Sequence, residues 1–571
     1  MKSVFSNKRP QTHLQRNAFD LTHSDVFSIS PGMLLPIHVQ EVNPNEHFEF
    51  SPSAYVRTMP LNTAAFVRAK QHIEFFFVPM RVLARQWNQF IVGTDYKISS
   101  VSALNNYTTI GVDFNLLDVA KWFGNNYASS SEFKNIFGLP FAFDAVRLFD
   151  MLGYGVNSHN VKQFVSVAGT KLVNIFRLLA YQKVYYDHYR NPLYEVNDPS
   201  AYNVDQYFGT NKHFVGNDLS AKNDFMKMCT LRYRNWSKDY FTCANPQWQG
   251  ADYLTQPTNI PLSIIASDGI DSLTTQSEFN GDWYDDNGRS LPSTGAGAQL
   301  KGDLASGALT LNVANLRAAF AYDKMLRLSI SAGDGDYGSQ IQAHYGFNAV
   351  HDDWKSKFIG GCTSALNISE VVTTATTEQA PTGDICGKGV SYNEGRFSFD
   401  TREHGIIIGI MSIVPQADYQ SSGVDSFNMK SSREQYFQPE FADLGKQPLS
   451  SHELNLIFES SGSTPAVVKD NSILGFVPRY MEYKTAIDKV HGQFVNGGSL
   501  SAWAAPRNNP TIQVGDNDLF TSTSLKVDPR IFNPIVTVIF DGQEITDQFV
   551  VDASTVCHAI RPMSVTGEPM L

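Results

Sequence analysis

Residues 16–87, RNAFDLTHSDVFSISPGMLLPIHVQEVNPNEHFEFSPSAYVRTMPLNTAAFVRAKQHIEFFFVPMRVLARQW, decide the fold. In Leu35 to Val39, the residues Leu35, Ile37 and Val39 fall on one face, with Pro36 and His38 on the other. That period of two is the pattern of a half-buried strand. Ile73, Phe75 and Phe77 repeat the spacing. Pro31-Gly32, Asn43-Pro44-Asn45 and Ser51-Pro52-Ser53 punctuate the runs. Such clusters set turns, because Pro fixes φ and Gly or Asn tolerates positive φ. On its own, the stretch predicts a β-sandwich or barrel.

Downstream, the chain alternates strand patterns with helical excursions. Phe114 to Phe123 and Phe141 to Leu152 carry apolar residues at three- and four-residue spacing, and a clearer helix is expected from about Lys171 to His188, ended by Asn191-Pro192. A second good helix is expected over Leu316 to Ser329, with Leu316, Ala319, Phe320 and Leu326 in one stripe. Gly405 to Pro415, GIIIGIMSIVP, reads as a strand buried on both faces. IVTVIF at Ile535 to Phe540, closed by Asp541-Gly542, reads as one arm of a hairpin. Between Asp252 and Thr310, Ser, Thr, Gly, Asp and Asn dominate without apolar period, which predicts a surface excursion.

Composition excludes several classes. The net charge of −11 argues against a protein that coats nucleic acid over its whole surface, since phosphates are bound mainly by clustered Lys and Arg. Any nucleic-acid contact is therefore local, and the basic arm 1–16, with Lys2, Lys8, Arg9 and Arg16 and no acid, is the candidate. Five widely spaced cysteines without a CxxC pair support neither a zinc site nor a disulfide framework. An apolar run long enough to cross a bilayer is missing, and no ordinary signal peptide follows the basic start, so membrane insertion is not expected.

Catalytic and cofactor motifs fail individually, so neither an enzyme nor a cofactor or metal site is expected. Gly333 to Gly338 spells GxGxxG but follows a helical pattern and carries two carboxylates where a pyrophosphate would sit. Asp334 and Asp285-Asp286-Asn287-Gly288 fail the spacing of a calcium loop. His452-Glu453 has Leu456 where a zincin needs its second His. His351-Asp352-Asp353 has no nucleophile elbow, and Gly383 to Gly389 lacks Walker spacing. Basic and aromatic residues interleave in Tyr181 to Tyr194 and Arg232 to Tyr240. That mixture suits base stacking or, more simply, core and subunit contacts.

Five segments carry a resemblance: the opening stretch, FRLLAYQKVYYDHYRNPLYEV (176–196), LRYRNWSKDYFTCANPQWQGADY (231–253), NVANLRAAFAYDKMLRLSISAGDGDYGSQIQAHYGF (312–347) and GFVPRYMEYKTAIDKVHGQF (475–494). In this order, with the tail CHAIRPMSVTGEPML, the chain resembles the major capsid protein of the microviruses, small icosahedral single-stranded-DNA bacteriophages, and among them the gokushovirus-like branch. The resemblance implies a mainly β fold: a viral jelly-roll β-sandwich of eight antiparallel strands with long inserted loops and several helices. One such domain would span 17–571, with a helical insertion at 113–195 and a variable, surface-exposed protrusion at 252–310. Trp283, Tyr284, Asp285 and Asp286 would be host-facing. The resemblance further implies a homo-oligomer of sixty copies in a T=1 shell around circular single-stranded DNA, located in the virion and made in the bacterial host cytoplasm. Implied partners are an internal scaffolding protein, a pilot protein, a small basic DNA-packaging protein and a host cell-surface receptor. The contrasting readings are a secreted carbohydrate-binding or adhesive β-sandwich, and a glycoside hydrolase built on the same sheets with two carboxylates in a cleft.

Overall fold

The computed structural model describes residues 16–565 apart from 62–64, 85–86, 93–112, 128–133, 168, 204–218, 247–261, 267–282, 285–289, 292–299, 305–316, 318–319, 323, 326–327, 330–336, 348–353, 373–384, 443–444, 457, 460–466, 469–471, 505, 508–521, 537–538, 541–542 and 545–546. The chain divides into two units, one formed by Met1–Pro246 with Val350–Leu571 and the other by Gln247–Ala349.

The first unit is built on ten strands: β1 (Asn17–Asp20), β2 (His23–Ile29), β3 (Leu35–Val42), β4 (His47–Thr58), β5 (Ala69–Pro79), β6 (Lys357–Val372), β7 (Ile385–Glu394), β8 (Phe397–Asp400), β9 (Gly405–Pro415) and β10 (Phe549–Arg561). Eight of them follow one another in the order β1-β10-β4-β7-β6-β5-β9-β3, all antiparallel, while β2 also pairs with β10 and β8 with β4. The long strand β6 makes the corner: Lys357 to Leu366 pairs with β5, and Asn367 to Val372 with β7. A β-bulge between Phe358 and Gly360 falls in the first of these halves. The sheet therefore curls on itself, and Phe50 of β4 meets Phe75 of β5 with ring centroids 5.4 Å apart. Phe48, Phe50, Phe75 and Phe397 fill this interior. Gly409 of β9 leaves room for one of these rings, since a Cβ there would lie 2.8 Å from Phe75 Cε1. The architecture is a mainly β jelly-roll sandwich with added helices.

Long-range pairing joins the two ends of the chain, because β10 aligns with β4 from Phe549↔Thr58 to Ile560↔His47. Among the helices that follow the opening strands are α1 (Leu116–Asn126), α2 (Phe141–Met151), α3 (Phe176–Val184) and α4 (Leu219–Met228). The Asn115 side chain caps α1 by accepting from Leu117 N at 3.3 Å. α2 buries Phe141, Ala142, Ala145, Val146, Leu148 and Phe149, the three- and four-residue spacing seen in its sequence. α2 packs on β3, and α3 on β5 and β9, so this half of the sandwich is covered on both faces.

Covering the second face changes the reading of β3. Expected to be half-buried, it is buried on both sides from Leu35 through His38. Its supposed outer residue, His38, points into the sandwich against Phe50 and Phe75. β9 is buried at every position, as expected for its continuous apolar run. The helix expected from Lys171 begins only at Phe176, because Leu172–Asn174 pairs with Asp113–Asn115 as a strand. It closes through a π turn, Tyr185–Tyr189, before Asn191-Pro192. Ile539–Phe540 pairs with Gln543–Glu544, whereas Ile535 lies in a turn and Val536 forms an isolated bridge with Leu61; Asp541-Gly542 falls outside the described residues.

In the second unit, Leu262–Ala266 pairs with Leu300–Leu304 and Trp283–Tyr284 with Ser290–Leu291, both antiparallel. The aperiodic excursion thus contains strands, which backbone hydrogen bonding permits without an apolar period. The described residues between Arg317 and Ser329 are helical, as is Tyr337–Tyr345. Phe320, placed in an apolar stripe by its spacing, is exposed, whereas Leu316, Ala319 and Leu326 lie outside the described residues.

Candidate functional site: the exposed faces of the sandwich

The motifs with chemical overtones have structural roles where they are described. Glu453 closes a capping box on the short helix Ser451–Leu454: its Oε1 accepts from Ser450 N at 3.3 Å and its Oε2 from Tyr240 Oη at 2.7 Å. Burial pushes the Glu453 carboxyl up, partly offset by the hydrogen bond from Tyr240. Gly387-Lys388 sits in β7, an extended strand rather than a phosphate-cradling loop. Gly333 to Asp336 and His351 to Asp353 lie outside the described residues. Among the described residues, no group of three His, Cys, Asp or Glu could hold a metal, and no helix is long and apolar enough to cross a membrane. Cys229, Cys243, Cys362 and Cys557 are free thiols.

The two basic-aromatic segments face inward. The Arg232 guanidinium lies over Tyr185 and Tyr186, 4.7 and 5.1 Å from their ring centroids, and donates to Gln182 Oε1 at 2.7 Å. Lys526 Nζ meets Glu195 Oε1 at 2.6 Å and Tyr185 Oη at 2.5 Å. Burial pulls the Lys526 ammonium down to about 8, against the pull of Glu195. Arg234 donates to Glu74 of β5 at 2.7 Å, and Tyr189 Oη donates to the same carboxylate at 2.5 Å. Burial alone would raise the Glu74 carboxyl, but the Arg234 charge and hydrogen bond keep it below the ordinary range. Satisfied buried networks of this kind fix geometry and leave little for a ligand to contact.

The exposed chemistry lies on the outer face of β2-β10-β4-β7. Register aligns Val26, Asp552, Tyr55 and Tyr392 in one row across these four strands, with Ser28, Val550, Arg57 and Val390 in the next. Val26 is 74% and Tyr392 58% exposed, so apolar and aromatic side chains stand in water among mixed charges. A face of this composition is suited to contact with another protein surface. Sequence reading missed this row. The signal was parity: Phe48 and Phe50 claim the inner face of β4, which puts Tyr55 on the outer one.

Of the expected nucleic-acid residues, Lys2, Lys8 and Arg9 lie outside the described residues. Arg16, at the root of β1, hydrogen-bonds both the carbonyl and the side chain of Asn45. Trp283 and Tyr284 form a strand of the second unit, whereas Asp285 and Asp286 fall outside the described residues. Arg16 belongs to the first unit, and Trp283 and Tyr284 to the second.

A jelly-roll sandwich whose ionisable interior is tied up in structural pairs, and whose open sheet face carries tyrosines and valines, defines a structural protein of the shell-building class. Residues 8–109 and 153–571 match the family described as capsid protein (F protein), and the chain belongs to that family. It is 24% identical to the capsid protein VP1 of Chlamydia phage 1, covering 100% of this chain and 98% of that one. It is 22% identical to the capsid protein VP1 of Bdellovibrio phage phiMH2K, with 86% and 85% covered. The similarity to gokushovirus-like microvirus capsid proteins read from the five segments thus extends over the whole length.

Proposed function

We propose that this capsid protein self-assembles as sixty copies into a T=1 icosahedral shell enclosing circular single-stranded DNA. The observation that carries the reading is the family match along nearly the entire chain, on a sandwich with an exposed aromatic face. Assembly is the mechanism: each copy repeats the same modest contacts under closed symmetry, and burial of apolar area at many of them makes the shell stable without any chemical turnover. The basic arm 1–16 faces the genome, where contacts need tolerance rather than sequence specificity. The excursion 252–310, with Trp283, Tyr284, Asp285 and Asp286, forms the protrusion presented to a host cell-surface receptor. An internal scaffolding protein, a pilot protein and a small basic DNA-packaging protein are the further partners, met in the bacterial host cytoplasm where the subunit is made.

Electron microscopy of the purified protein tests the reading: uniform icosahedral particles are expected, and soluble monomers with affinity for glycans would overturn it. Deleting residues 1–16 should leave the fold and the shells intact while lowering the DNA retained per particle. Undiminished DNA content would refute the role given to the arm.

A further inference from the structure

Four aromatic side chains stand half out of the surface in a part of the first unit remote in sequence from the sheet face. Phe427, Tyr436, Phe437 and Tyr483 are each between 42% and 50% exposed. They come from two loops, 425–441 and 479–484, neither of which contributes to the ten-stranded sheet.

The loops are held with unusual care for a surface. Asp425 caps the turn Ser426–Met429, and Gln435 Oε1 accepts from Ser431 N at 2.6 Å and Ser432 N at 3.0 Å. Tyr480, buried and in the left-handed region at φ 59°, accepts from Gln438 N at 3.3 Å and donates to the Tyr436 carbonyl at 3.2 Å. Beneath the rings lies the ammonium of Lys430, 4.5 Å from the Phe427 centroid, 4.4 Å from that of Tyr483 and 5.7 Å from that of Tyr436. Its counter-charge is Glu482, at 2.8 Å, and both side chains are under a tenth exposed. Glu482 also accepts from Gln447 Nε2 at 2.7 Å. A buried cation gripping three rings fixes their orientation from below. The rings pack edge-on with one another as well, Phe427 on Tyr483 at 5.0 Å and Phe437 on Tyr480 at 5.2 Å. Aromatic groups fixed in advance lose little conformational freedom on docking, which is the property of a binding hot spot.

Charge selects the occupant. The two loops hold four basic residues, Lys430, Arg433, Arg479 and Lys484, and four acidic ones, Asp425, Glu434, Glu440 and Glu482. A single-stranded nucleic acid needs a positive surplus beside its stacking platforms, and here there is none. A second copy of this chain carries the same net charge of −11, so two copies repel except where local charge cancels. At this patch it cancels, and a rim of both signs can pair across the contact. We infer that the aromatic patch of Phe427, Tyr436, Phe437 and Tyr483 over Lys430 is a contact surface for a second copy of this chain. The inference rests on the assembly reading above and assigns one of its interfaces.

The test uses the full-length protein with Phe437→Asp and, separately, Arg433→Glu. Both positions lie at the surface, so thermal melting of the subunit should match the unsubstituted chain. The assembled fraction in sedimentation should fall at least tenfold for Phe437→Asp. In parallel, a photo-crosslinking amino acid at position 436, in a mixture of ¹⁴N and ¹⁵N protein, should yield adducts between copies. Assembly of Phe437→Asp at the unsubstituted yield, or adducts confined to single chains, would overturn the assignment. So would normal shells with reduced DNA, which would give the patch to the genome. Failure of the unsubstituted protein to form shells would instead count against the assembly reading, because between-copy adducts remain readable in smaller oligomers.

Discussion

Lowering the pH should loosen the sandwich at His38, and the size of the effect follows from where that ring sits. β2 and β3 lie on opposite margins of the curled sheet, and His23 and His38 bridge them, with rings stacked at 5.0 Å and His38 Nδ1 3.4 Å from His23 Nε2. His23 Nδ1 lies 3.2 Å from the Leu21 carbonyl, which only accepts, so His23 carries its proton there and its Nε2 accepts from His38. The remaining nitrogen, His38 Nε2, is buried without a hydrogen-bond partner, facing Phe50 and Phe75. Burial, reinforced by the nearby His23, pulls the His38 pKa down to about 3. The other charged neighbour at the seam is Asp25, 3.7 Å from His23 Nε2. In the unfolded chain His38 titrates at about 6.5. Between these values the unfolded state binds a proton that the folded state refuses, so stability falls as pH drops from about 6.5 and levels off only below about 3. At pH 4.5 the loss amounts to about 2.7 kcal/mol relative to pH 7.5, two pH units at about 1.36 kcal/mol each. Urea unfolding of dissociated subunits at both pH values, for the native chain and His38→Leu, isolates this residue. The native chain should lose about 2.7 kcal/mol more than the variant. Equal losses in the two proteins would refute the reasoning.

Asp547 of the loop before β10 accepts from Arg147 of α2 at 2.8 and 2.5 Å and from Ser28 and Ser30 at 2.5 and 2.9 Å, so Arg147→Ala strands a buried carboxylate. It should cost about 3–5 kcal/mol in denaturant midpoints, and Arg147→Met with Asp547→Leu should recover much of that. Gly32→Ala should cost about 1–3 kcal/mol by thermal unfolding, because φ is +76° and the new Cβ would lie 2.6 Å from Val527 Cβ. An unchanged melt would place the strain elsewhere.

How much of this was legible depended on range along the chain. β5 and β9 were readable because each is specified by neighbours in sequence, through a period or a continuous apolar run. β3 was half-readable: alternation shows that Pro36 and His38 share a face but not which face is core, and in the fold both faces are buried, with His38 against Phe50 and Phe75 and α2 packed on the strand as well. The start of α3 was misread because Leu172–Asn174 answers to Asp113–Asn115, a partner more than fifty residues away. The interaction surfaces were the least legible. Tyr55 and Tyr392 become one row only through the register of β4 on β7, and the aromatic patch is assembled from loops about forty residues apart. The resemblance carried by whole segments reached the family where residue-level motifs pointed to no chemistry.

That difference has a physical origin. A catalytic centre depends on a few side chains whose types are diagnostic, so its traces survive in short motifs. A shell subunit depends on area, and area is written as exposed Tyr, Val and Phe that look in sequence like any core residue. They are separated from the core only by asking which apolar positions the fold leaves outside. Among the described residues, two such groups are the β2-β10-β4-β7 face, with acids and bases interspersed, and the patch over Lys430, with its charges balanced. The patch over Lys430 avoids the net negative charge that would hold identical copies apart, and in both groups the apolar side chains are fixed by backbone pairing or by a buried cation rather than free to collapse. Restraint of that kind lets weak contacts between copies repeat with one geometry, which closure under symmetry requires.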